Sequence, residues 1–193
     1  TLSIPAIMTI IRQILDGVAY AHEQGVIHRD LNPSNIIISK KGVPRIMDFG
    51  ISQMIGSPHG KDQKLRGTLR YMSPEHFSDK PIGPGADIFS VGLILYEMLT
   101  RIPAIEGEND FAIIYKVIYE PTVAPSLMNP KVEKGLDSIV LRALQKEQEA
   151  RFSDAASMKK EILRYLDNKQ MKDRASSDEK ITHSTVEFLL RRM

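Results

Sequence analysis

Between two polar clusters of this chain lies a stretch that permits few folds. Ile36-Ile37-Ile38-Ser39 is a β-branched run, Lys40-Lys41-Gly42-Val43 is turn-forming, and Pro44-Arg45-Ile46-Met47 is a second short run. Two such runs around a glycine-bearing turn predict a small β-hairpin. A hairpin sends the chain back on itself, so Asp48 must return to the neighbourhood of Asn35. The preceding stretch, His28-Arg29-Asp30-Leu31-Asn32-Pro33-Ser34-Asn35, reads as a loop that carries a carboxylate and a carboxamide. Asp30, Asn35 and Asp48 can therefore converge, and their oxygens are the hard ligands that a divalent cation and a phosphorylated nucleotide require.

The surroundings of this loop read as helical. Pro5 suits a first helical turn with Ser3 as its cap. Ile7, Ile10, Ile11, Ile14, Leu15, Val18 and Ala21 then recur at three- and four-residue spacing, which predicts an amphipathic helix to about Gln24. Gly25 follows as a left-handed stop. Residues 51 to 85 are rich in Gly and Pro and weak in periodicity, and a structureless stretch of that length is uncommon unless functional or disordered. Asp87 is read as the cap of a helix that is apolar nearly all round, from Ile88 to Leu99, and hence buried. Further helices are expected over Phe111 to Tyr119, over Lys131 to Gln145, and after Ser153 or Asp154 with Ala156, Met158, Ile162, Tyr165 and Leu166 facing inward. Residues 168 to 181 are polar and charged, a linker by composition. Thr182 or Ser184 opens a last helical stretch that belongs to a following region.

Composition adds bounds. The chain has 193 residues, 42% hydrophobic and 26% charged, which fits one globular domain with a real core. A net charge of +2 gives no argument for nucleic acid or a membrane surface. There are no cysteines, which excludes a disulfide scaffold and thiolate metal sites and is compatible with a cytoplasmic protein. No uninterrupted apolar run approaches the roughly 20 residues of a membrane span. The start, Thr1-Leu2-Ser3-Ile4-Pro5, is not a signal peptide and has no initiator Met, so the chain is expected to begin inside a longer protein.

His28-Arg29-Asp30-Leu31-x-x-x-Asn35 followed by Asp48-Phe49-Gly50 resembles the catalytic and metal-binding loops of protein kinases. The resemblance covers roughly residues 5 to 167. It implies a mainly α fold, the large C-terminal lobe of such an enzyme, with a small β-hairpin at the active site. It implies transfer of the γ-phosphoryl group of ATP to Ser or Thr hydroxyls of a protein, and Pro33 and Thr68 favour that class over Tyr. Asp30 would take or orient the proton of the attacking hydroxyl. Asn35 and Asp48 would hold Mg²⁺ (or Mn²⁺), and Asn32, Asn35, Ile37 and Asp48 would face ATP. His28, Phe49 and Gly50 would be structural, and Arg29 would grip a phosphate added to the activation segment.

Further matches follow. Gly67-Thr68-Leu69-Arg70-Tyr71-Met72-Ser73-Pro74-Glu75 resembles the end of that segment, with Thr68 shaping the substrate pocket. Glu75 would pair with Arg151 in the interior, and Asp87 would accept backbone hydrogen bonds from the catalytic loop. Lys61, Lys64, Arg66 and Arg70 make the segment basic, and a phosphate on Ser52, Ser57 or Thr68 could order it against Arg29. Asn32 departs from the family, which usually has Lys there. Losing that cation lowers transition-state stabilisation and keeps open a rival reading, a pseudokinase or scaffold. No Gly-x-Gly-x-x-Gly and no strand with a phosphate-pairing Lys precedes the first helix. The small lobe is therefore expected upstream of this chain, and the chain alone is expected to be inactive.

Overall fold

The computed structural model describes residues 2–49 and 68–171. Gly50, Ser52, Ser57, the basic residues Lys61, Lys64 and Arg66, and the helical stretch expected after Thr182 lie outside these described residues.

The fold is mainly helical with one two-stranded sheet. Helix α1 runs Ile4–Glu23, with the Ser3 side chain accepting from the Ala6 amide at 3.4 Å and Gly25 at φ +75° beyond its end. Ile7, Met8, Ile11, Ile14, Leu15 and Val18 are buried on one face. By length and composition this helix could cross a membrane; here that face is core. A 3₁₀ turn, Pro33–Asn35, leads into β1 (Ile36–Ile38), which pairs antiparallel with β2 (Pro44–Ile46) in the register Ile36 to Ile46. Gly42 takes φ +77° in the turn, which the absence of a Cβ permits. β2 lies against α1, close enough that a Cβ on Gly17 would sit 3.2 Å from the Ile46 side chain.

Helix α2 (Pro84–Thr100) is the centre of the molecule: Ala86 to Tyr96 are buried without a break. α1 packs on one side of it and α5 (Lys134–Ala143) on another. Helix α3 (Asp110–Tyr119) and the single turn α4 (Pro125–Met128) lie between α2 and α5 in the chain. Asn109 caps α3 through the Ala112 amide at 2.9 Å. The Lys146 ammonium closes its other end on the carbonyls of Lys116 and Val117, at 3.0 and 2.6 Å. Burial, and then the nearby Arg151 charge, push the Lys146 amine down to about 8.

Helix α6 covers residues 155–171 and starts where Asp154 accepts the Ser157 amide at 2.6 Å. It carries on four residues into the stretch read as linker from composition. A second correction concerns α2. Gly83 is its N-cap, and Asp87 lies inside the helix with its side chain directed at the loop of His28 and Arg29. Pro84 begins the helix because a proline at the first position needs no amide partner.

α2 meets α5 at Gly92, where an added Cβ would lie 2.8 Å from Ala143 Cβ and 2.9 Å from Leu144 Cδ2. Gly92→Leu should therefore lower unfolding stability by about 1–3 kcal/mol through overpacking, read as a reduced midpoint in urea. An unchanged midpoint would contradict this packing.

Candidate functional site

The loop after α1 is shaped by hydrogen bonds to buried side chains. Asp87, only 1% exposed, accepts the His28 amide on Oδ2 and the Arg29 amide on Oδ1, both at 2.9 Å. Oδ2 also meets His22 Nε2 at 2.7 Å. Arg29 is thereby held at φ +67°, a conformation that costs an L-residue about 1–2 kcal/mol. His28 is fully buried. Its Nε2–H donates to the Met47 carbonyl at 2.8 Å, and its Nδ1 accepts the Asp30 amide at 3.3 Å. The tautomer follows from those partners, since a carbonyl only accepts and an amide only donates. Phe49 tilts against the His28 ring at 4.7 Å.

Two carboxamides converge on Asp30. Asn32 Nδ2 donates to the Asp30 carbonyl at 3.0 Å and to Oδ1 at 3.1 Å. Asn35 Nδ2 donates to the same carbonyl at 2.8 Å and to Oδ2 at 3.1 Å. The Asn32 oxygen is occupied too: it accepts the Ser34 amide at 2.9 Å and so caps the 3₁₀ turn. Asn32 is 4% exposed. Where the resemblance leads one to expect a cation reaching outward, this chain has a short side chain folded onto its own loop.

The hairpin closes the site from the other side. The Met47 amide donates to the Asn35 carbonyl at 2.9 Å, and the Met47 carbonyl takes the His28 bond. Asp48 comes next, exposed and at φ +59°. The backbone that carries Asp48 is thus tied directly to Asn35 and His28. Ile37 lies on β1, 51% exposed, within an uncovered apolar rim that includes Ile38, Val43, Met47 and Phe49. Among the described residues, no group of three or more His, Asp or Glu side chains is placed to hold a metal ion. Asn35 and Asp48 offer two hard oxygens, a set that suits a divalent cation completing its shell with phosphate and water.

Glu75 and Arg151, 76 residues apart, form a bidentate pair at 2.8 Å for both bonds, fully enclosed. The Arg151 guanidinium also donates to the carbonyls of Gln145, Gly85 and Lys146, so all five of its N–H groups are used. Burial by itself would raise the Glu75 carboxyl, but the hydrogen bonds and charge of Arg151 outweigh it, and the group lies below the ordinary carboxylate range. Thr68 is half-buried and opens a turn in which the Tyr71 amide donates to its carbonyl at 3.0 Å. Tyr71 in turn donates its hydroxyl to Glu97 on α2, and its carbonyl accepts Ser90 Oγ at 2.8 Å. Arg29 Nε and Arg70 Nε are enclosed without a hydrogen-bond partner among the described residues.

Two residues of this network were missed in the sequence. His22 supports Asp87. His76 bridges Ser73 and the Arg29 carbonyl, with Nε2 to oxygen 2.9 Å. For His76 a signal exists: Ser-x-x-His has the spacing of a capping box with His in the Glu/Gln position. For His22, one more polar residue near the end of an amphipathic helix, there is none.

A family model described as "Protein kinase domain" matches residues 1–186. Among curated proteins, the "Probable serine/threonine-protein kinase PknB" of Bifidobacterium longum is 36% identical over 156 residues, covering 79% of this chain and 23% of its own length. The "Serine/threonine-protein kinase PknB" of Mycobacterium tuberculosis is 33% identical over 158 residues, covering 80% of this chain and 25% of its own. The chain spans about a quarter of the length of the curated relatives it matches.

The Glu75–Arg151 pair generates a prediction. Glu75→Gln leaves Arg151 buried without its counter-charge and should cost about 3–5 kcal/mol of unfolding stability. In the unaltered chain the pair's contribution is complete above the unfolded-state carboxyl pKa. It is lost as pH falls through the lower folded-state value, because the unfolded chain binds the proton first. Urea unfolding of the two chains from neutral to acid pH should show their stability difference shrinking at the acid end; a pH-independent difference would refute the linkage.

Proposed function

The chain belongs to the protein kinase domain family, and from that premise we propose that its parent protein transfers the γ-phosphoryl group of ATP to Ser or Thr hydroxyls of a protein. The observation that carries this reading is the convergence of Asn32 and Asn35 on Asp30 while the hairpin ties the backbone before Asp48 to Asn35. In the reaction, the substrate oxygen forms a bond to the γ-phosphorus and its proton passes to the Asp30 carboxylate. The bond from that phosphorus to the bridging oxygen breaks, and ADP leaves.

Asn35 and Asp48 would hold Mg²⁺ (or Mn²⁺), which when bound neutralises phosphate charge. Two carboxamide N–H groups aimed at one carboxylate restrict its rotation, which is the positioning that this chemistry depends on. Asn32 serves here as such a positioning group, and this use of the side chain favours turnover over the pseudokinase or scaffold reading. Ile37 would face the nucleotide base. The enclosed, unpartnered Nε of Arg29 supports its role in gripping a phosphate on Ser52, Ser57 or Thr68. Thr68 would shape the pocket for the substrate hydroxyl.

The exposed rim of Ile37, Ile38, Val43, Met47 and Phe49 supports an upstream small lobe that covers the site, without which this chain is inactive. A second region would follow the helix 155–171. A domain that consumes ATP is expected in the cytoplasm.

The test is radiolabelled phosphoryl transfer by the full-length parent protein on a Ser/Thr protein substrate. Asp30→Ala should reduce kcat by about 10³-fold or more, and Asn32→Ala by about tenfold, with KM for ATP little changed. Transfer by Asp30→Ala at the unaltered rate, or no transfer by the unaltered protein, would overturn the reading.

A further inference from the structure

The peptide group that joins Arg29 to Asp30 is held on both edges. Its N–H belongs to Asp30 and reaches His28 Nδ1 at 3.3 Å. Its C=O belongs to Arg29 and accepts from His76 Nε2 at 2.9 Å. A peptide group is planar and turns as one body, so these two contacts fix its rotation and with it the direction in which Asp30 leaves the chain. The fixation is needed because Arg29 stands at φ +67°, and an L-residue stays in that region only where its surroundings over-determine it.

His76 is itself rigidly mounted. Its Nδ1 accepts the Ser73 amide at 3.2 Å and lies 2.8 Å from Ser73 Oγ. That partner makes Nδ1 the acceptor and leaves Nε2 carrying the proton, the arrangement the Arg29 carbonyl requires. The neighbouring residue in the chain is Glu75, locked on Arg151 by two bonds.

We propose that His76 is a positioning residue for Asp30: it transmits the anchoring of the Ser73–Phe77 segment to the Arg29–Asp30 peptide group and makes that anchoring a condition for catalysis. The inference rests on the kinase reading above, which makes Asp30 the proton acceptor.

The experiment compares His76→Ala, His76→Asn and His76→Gln in the full-length parent, beside Asp30→Ala. The amide nitrogen of Gln reaches about as far as Nε2, whereas that of Asn falls short. Losing one neutral hydrogen bond corresponds to about tenfold, so kcat should fall about tenfold in His76→Ala and His76→Asn. KM for ATP should hold, and His76→Gln should return to within about threefold. Hydrogen exchange of the Asp30 amide should quicken in the first two variants and not in the third.

A kcat unchanged in His76→Ala and His76→Asn overturns the proposal. So does a loss that Gln does not rescue and that follows the unfolding temperature of all three variants, the pattern of a merely structural residue. If the unaltered protein and Asp30→Ala behave alike, the kinase reading fails. The exchange rates then still decide whether His76 fixes the peptide group.

Discussion

A carboxylate taken out of water must be surrounded by donors, and Asp87 sets the shape of the whole site through that requirement. It is 1% exposed and sits in the first turns of the most buried helix. The positive end of the helix dipole favours a negative charge there, but the oxygens still need protons to accept. They find them in the His28 and Arg29 amides and in His22. Because those amides belong to consecutive residues, satisfying one carboxylate bends the loop and holds Arg29 left-handed. The conformation of the loop is thus tied to the core helix through one buried carboxylate.

The same end of that helix anchors the second buried charge. Arg151 donates to the Gly85 carbonyl in the first turn of α2 and to both oxygens of Glu75. Breaking such a pair is expensive because the remaining charge is stranded, even where the intact pair adds little net stability. Its value here is geometric. It fixes the segment that begins at Ser73 to the element that fixes the loop of His28 and Arg29, so both are referred to one rigid body. Through His76 the two meet directly at the Arg29 carbonyl.

This division explains what could be read from the sequence. The helices were legible because apolar side chains at three- and four-residue spacing report local geometry, and α1 keeps the boundaries that Ser3 and Gly25 suggest. The hairpin was legible from β-branched runs around a glycine. The protein kinase family was legible from the ordered motif, and the family match bears it out. Asp87 was misread as a cap, since an acidic residue ahead of an apolar run carries no mark of whether it starts the helix or lies within it; the Pro at position 84 was the better sign. The turn Pro125–Met128 is too short to show a period. The contacts of His22 with Asp87 and of His76 with Arg29 are made 65 and 47 residues away, and separations of that size leave no trace in local pattern; only the contact of His76 with Ser73 has a local sign.

Asn32 shows how one substitution can change a site's strategy without emptying it. A lysine there would extend a charge away from the loop; this carboxamide spends its donors and its acceptor within the five residues from Asp30 to Ser34, on Asp30 and the Ser34 amide. The consequence is a loop whose central carboxylate is gripped on both oxygens, by Asn32 on one and Asn35 on the other. Each grip uses the nitrogen of a planar group, so the oxygen of Asn35 lies on the other branch and takes no part in holding Asp30. The two asparagines therefore divide their tasks by geometry. Asn32, itself the cap of the turn and buried, has both its nitrogen and its oxygen engaged within the loop, whereas Asn35 meets Asp30 through its nitrogen alone.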